Sequence, residues 1–178
     1  MLVTIALTSC GSGRSGENGP RPSLASSQAA QRAYRAVHES WITKNPVERR
    51  TLQPALESFL ARHGADPRAR LVRLYLAWIL IDRGELVRAQ SLIEQTRSGP
   101  EGSAHDFADV ARARILVREG KPELALALLD PLEGKIVDAD ERVLYGEERV
   151  LAALAAQRHA EAIAYMLLWL ADSPPEDR

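Results

Sequence analysis

Cysteine occurs once in these 178 residues, at position 10, so no internal disulfide can staple the fold. Aromatic residues are scarce: two Phe, three Trp and four Tyr leave the core to be built from something else. Ala and Leu supply most of the 46% hydrophobic content, a mixture that favours close-packed helices over strands, which draw on Val, Ile and aromatics. Neither sign of charge dominates. The 23 Lys and Arg against 24 Asp and Glu leave a net charge of −1, without the basic field that nucleic acid requires. Also missing are His-Glu-x-x-His, paired cysteines and Gly-x-Ser-x-Gly. Gly11-Ser12-Gly13 lacks the lysine of a phosphate loop. The histidines (His38, His63, His105, His159) are scattered, and His105 with Asp109 at i,i+4 makes only part of the roughly four-ligand set of a structural zinc site. The expectation is a protein with no catalytic residues, no cofactor and no metal.

What the chain does have begins at its amino end. Met1 to Cys10 is a short apolar run closed by the sole cysteine, and Leu7-Thr8-Ser9-Cys10 resembles the lipobox of bacterial lipoproteins. That resemblance implies lipidation of Cys10 after cleavage. Gly11, where Asp would signal retention, is similar to lipoproteins sent to the outer membrane of Gram-negative cells, facing the periplasm. A start with no basic residue before Leu2 departs from a signal peptide and leaves open an unanchored, disordered amino terminus. The run is too short to span a bilayer as a helix, and no other run is long enough. Residues 1–10 are thus read as a signal-like segment, 11–27 as a flexible Gly/Ser/Pro tether, and 28–178 as the folded body.

Within the body, apolar residues return with helical period between Gly and Pro punctuation. Ala30, Tyr34, Val37 and Trp41 form one stripe, ending near Lys44 where Asn45-Pro46 offers a cap and a first-turn proline. Leu52, Leu56, Phe59 and Leu60 carry a second helix to Gly64, expected as a left-handed C-terminal residue. Three further pairs follow, turning at Gly84, at Gly120 and near Gln157. No alternating strand pattern is present.

A longer period overlies these stripes. Ala55, Ala89, Ala125 and Ala162 lie 34, 36 and 37 residues apart, a spacing of stacked helix-turn-helix units. With Ala77, Gly84 and Ile93 in one unit, Ala113, Gly120 and Leu129 in the next, and Pro67 and Pro174 twelve residues after Ala55 and Ala162, residues from about 50 to 175 resemble tetratricopeptide repeats. The resemblance implies an all-α solenoid of about four helical hairpins, in which small residues let paired helices approach closely. Gln157 replaces the family's turn glycine, and the aromatic near the start of each first helix is missing.

In that family the first helices line a concave groove. Carried over, the groove would take Leu71, Leu74, Trp78, Ile81 and Asp82, then Phe107, Val110, Arg114, Val117 and Arg118, then Leu144, Glu147, Leu151 and Leu154. Of these, Leu74, Trp78, Ile81, Arg114, Arg118 and Leu151 are the candidate partner contacts; the competing reading is that the apolar ones are packed core. Leu167 and Leu170 join the candidates because Ala162 to Leu170 is apolar nearly all round, where a terminal helix of such an array should show a polar face. The resemblance implies a lipid-anchored adaptor of the cell envelope with protein partners, a possible homodimer, and no nucleic acid. The alternatives are a regulatory helical domain of a larger envelope protein, as in activators of penicillin-binding proteins, and a cytoplasmic repeat protein.

Overall fold

Ala- and Leu-rich stripes broken by Gly and Pro give helix throughout: in the computed structural model, which describes residues 24–172, no strand occurs among the described residues. Helix α1 spans Leu24–Thr43. A single turn, α2 (Pro46–Arg49), runs through the 3-10 turn Arg50–Leu52 into α3 (Gln53–His63). Then come α4 (Ala69–Asp82) and α5 (Leu86–Arg97), α6 (Ser103–Arg118) and α7 (Pro122–Leu129), and α8 (Ala139–Ala155) and α9 (His159–Asp172). The all-α expectation holds. The amino-terminal lipobox with Cys10 lies outside the described residues.

Local boundaries follow sequence chemistry closely. Asn45 caps α2, its Oδ1 accepting from the backbone N–H of Val47 and Glu48, with Pro46 in the first turn. Two boundaries differ from expectation. Leu24–Ser27, assigned by composition to the tether, are helical, since no Gly or Pro follows Pro22 until Pro46. Gly64 keeps a right-handed φ of −60° rather than a left-handed one, because the chain stays tightly turned, with the Asp66 N–H donating to the His63 carbonyl at 2.9 Å.

The three later pairs share one turn. Gly84, Gly120 and Gln157 sit at φ +78°, +73° and +61°, each the middle of a three-residue link. The residue after each donates back to the carbonyl five before it: Glu85 to Leu80 at 2.8 Å, Lys121 to Leu116 at 2.8 Å and Arg158 to Ala153 at 2.9 Å. This is the Schellman arrangement, and it demands the left-handed backbone that only glycine adopts without penalty. Gln157 bears that penalty, roughly 1–2 kcal/mol, against the roughly 0.4–1 kcal/mol that glycine would add in unfolded-chain entropy. Gln157→Gly should therefore stabilise by about 0.5–1 kcal/mol, read as a higher urea midpoint at unchanged slope. Gly84→Ala, which meets no steric obstacle, should destabilise through backbone strain alone.

Each helix packs on the next from α3 to α9, and α6 also packs on both α4 and α8. Ala77, Ala89, Ala113 and Ala125 are fully buried and Ala162 nearly so, at 3% exposure, which is where close helix approach needs small side chains. Ala55 is exposed instead; in that first unit Leu56 and Phe59 carry the burial. Helix α1 lies on α3 and α4 and completes the core there. Its Trp41 ring stacks on Tyr75 with centroids 4.4 Å apart, and His38 Nδ1 shares a 2.8 Å hydrogen bond with the Tyr75 hydroxyl.

Candidate functional site

The groove expected from the repeat register splits into three fates. Leu74, Trp78 and Ile81 are buried, none more than 4% exposed, because α4 is covered by α1, α3, α5 and α6. They are core, with Trp78 stacked on Phe107 at 5.2 Å, and not a surface open to a partner. Arg114 is used internally. Only Arg118, Leu151, Leu167 and Leu170 are exposed.

Arg114 sits where α4, α6 and α8 meet. Its guanidinium lies 5.8 Å over the Trp78 ring, donates to Asp82 Oδ1 at 2.8 Å, and donates to Glu148 of α8. Glu147 is 3.9 Å away, and Arg118 approaches Asp82 at 3.7 Å. Burial works against the charge on Arg114, but Glu148 and Asp82 outweigh it and hold the guanidinium firmly protonated. The Glu148 side chain is almost wholly enclosed, and burial pushes its carboxyl up to about 7 in spite of Arg114. Glu148 was not among the expected site residues. Its signal was present: with Leu144 and Ala152 it makes an i,i+4 series on the buried face of α8.

A second buried acid, Glu141, has no ion pair among the described residues. It lies in the first turn of α8 after the cap Asp138, whose Oδ1 accepts from the N–H of Asp140 and Glu141. Burial first, then the charges of Asp138, Asp140 and Asp106, raise it to about 7. Neither Glu141 nor Glu148 lines either of the two hollows around α8 and α9. Among the described residues no cluster of three or more His, Cys, Asp or Glu is placed to hold a metal ion.

Two cavities lie around α8, α9 and the loop before α8. The larger, about 390 Å³, has Tyr145 and Arg149 of α8, Tyr165 and Trp169 of α9, and Ile136 and Glu133 of the loop in its wall. A smaller hollow of about 240 Å³ opens beside it, between Trp41 and Arg49 on one side and Leu144 and Leu170 on the other. Trp169 borders both. Its position depends on Gly146, where an added Cβ would come within 2.5 Å of Trp169 Cδ1. A glycine that weakens a helix interior by about 1 kcal/mol is thereby explained by close approach. Tyr145, Arg149, Tyr165 and Trp169 were all missed as site residues in the sequence, where they read as ordinary residues of two helices.

Helix α9 also presents Ile163, Leu167 and Leu170 on an i, i+4, i+7 stripe, with exposures of 55%, 62% and 38%, and Leu168 at 57%, Leu168 and Leu170 at the rims of the two hollows. The neighbouring α8 adds Leu151 and Leu154, also exposed. Among the described residues no helix is long and apolar enough to cross a membrane. Comparisons with family models, with curated proteins and with solved structures give no match to this chain.

Proposed function

We propose that this chain is a non-enzymatic adaptor, a solenoid of helical hairpins that docks a protein partner and is tethered to the outer membrane on its periplasmic side through lipid on Cys10. The observation that carries the docking reading is the exposed apolar stripe of α9, Ile163, Leu167 and Leu170, flanked by Leu168. Large contiguous apolar faces are uncommon on a free soluble domain, and one on a repeat array is a natural contact surface. The solenoid reading is supported by the recurring turns at Gly84, Gly120 and Gln157 and by the packing of α6 on both α4 and α8. The anchor rests on the lipobox-like Leu7-Thr8-Ser9-Cys10.

Leu167→Glu combined with Leu170→Glu should abolish self-association or partner capture while leaving the far-UV circular dichroism and melting curve of the isolated chain essentially unchanged. An unfolded double variant would place these leucines in a core and end the docking reading. Cys10→Ala, in the chain expressed with an export signal, should move the protein from the detergent phase to the soluble fraction and remove labelling by a palmitate analogue. An unchanged membrane fraction would refute the anchor.

A further inference from the structure

The cavity between α8 and α9 contains a cation that the protein itself leaves incompletely satisfied. Arg149 is about nine-tenths buried. Its guanidinium lies near two aromatic rings, 3.9 Å from the Tyr165 centroid and 5.4 Å from that of Tyr145. The carboxylates nearest to it, Glu133 and Asp130, stand off at 3.6 and 3.8 Å, beyond good hydrogen-bond length, and both are more than half exposed. Its Nε has no hydrogen-bond partner among the described residues, and the Tyr165 side chain is the other polar group beside the guanidinium. A second arginine in the wall, Arg142, is exposed and has no ion pair among the described residues. The rest of the lining is apolar or aromatic, chiefly Ile136, Val143 and Trp169. At about 390 Å³ the space falls at the small end of ligand sites, which run from roughly 300 to 1,000 Å³.

A buried arginine fixed by aromatic stacking, with spare donors and an apolar enclosure, matches one kind of ligand: an apolar body carrying one anionic oxygen group. We infer that the α8–α9 cavity binds a small apolar carboxylate, such as a medium-chain or aryl-substituted acid, with Arg149 and Arg142 as its anion partners. Arg149 offers the planar fork that grips a carboxylate, and the aromatic rings keep that fork oriented before the ligand arrives. Glu133 is the built-in competitor for the same guanidinium. An incoming carboxylate would take its place and gain the hydrogen bonds that Glu133 does not reach. This site stands independently of the adaptor reading, since it needs neither the exposed stripe of α9 nor the anchor.

The test is titration of the full chain with 4-phenylbutyrate and with octanoate, followed by calorimetry and tryptophan fluorescence, with 4-phenylbutyramide as the uncharged control. Both acids should bind, and the amide should bind at least about tenfold more weakly, the size of one lost charge-assisted hydrogen bond. Arg149→Met should abolish acid binding, Arg142→Gln should weaken it several-fold, and Glu133→Gln should tighten it. Equal binding of acid and amide would overturn the proposal. So would unchanged acid affinity in Arg142→Gln together with no tightening in Glu133→Gln. Those two substitutions lie at exposed positions and keep the test decisive if Arg149→Met does not fold.

Discussion

Arg114→Met should be the most damaging single substitution in the folded body, costing about 3–5 kcal/mol near pH 8. The guanidinium bridges Glu148, which is 1% exposed, and Asp82, whose side chain is 13% exposed. Removing it leaves two carboxylates facing each other inside a contact made by three helices, and the desolvation they have already suffered is no longer offset. The two acids are not equally stranded. Arg118, 3.7 Å from Asp82, remains to pair with that carboxylate, whereas Glu148 has only Glu147 and Asp82 near it, both of its own sign. Glu148→Gln added to Arg114→Met should therefore recover most of the loss, a strongly non-additive result in a double-mutant cycle read from urea midpoints. The loss in Arg114→Met should also shrink toward pH 5, where Glu148 escapes by taking up a proton. Simple addition of the two single effects would mean that Arg114 matters for its packing on Trp78 and not for its charge.

That cluster shows where sequence reasoning reaches and where it stops. Trp78 and Arg114 occupy the same register position in successive units, six residues before the turn glycines Gly84 and Gly120. Register therefore put both on one face of their helices, and in the fold the Arg114 guanidinium does lie over the Trp78 ring. It could not say whether that side is open. The answer depends on how closely α4, α6 and α8 pack and on α1 lying across α4, which are long-range facts with no local signature. Hence Leu74, Trp78 and Ile81 became core while Leu151 stayed exposed. Turns and caps were legible where each is decided within about six residues by backbone chemistry, as at Asn45-Pro46 and Gly84.

The cavity was hidden for a different reason. Gly146 reads as a flaw in an otherwise good helix, and only the approach of Trp169 from α9 explains it. Arg149 reads as a solvated charge, since arginine is seldom buried without a partner. Its burial follows from Tyr145 and Tyr165 closing over the guanidinium from two helices. One of those rings is four residues away on α8, the other is on the next helix, and no single stripe joins them.

Stability should fall as pH rises from about 4.5 to about 8, the reverse of the usual acid-sensitive domain, with Glu141 as a principal cause. Its carboxyl titrates at about 7 in the fold against 4.5 for an unstrained side chain, because it is buried and because Asp138, Asp140 and Asp106 add like charge. The folded chain therefore holds a proton in this interval that the unfolded chain has released. Such a group stabilises fully below the unfolded value, and its contribution is lost as pH climbs through the folded one. The helix start around it pulls the other way, but a terminal dipole favours a carboxylate by only about 0.3–1 kcal/mol and is screened by salt. Glu148 acts in the same direction, so the wild-type curve carries both contributions. Glu141→Gln keeps the shape of the protonated side chain and cannot ionise. It should match the wild type near pH 4.5, exceed it at pH 8, and flatten the curve of melting temperature between them. A Glu141→Gln curve parallel to that of the wild type would show that this carboxyl is already ionised in the fold at neutral pH.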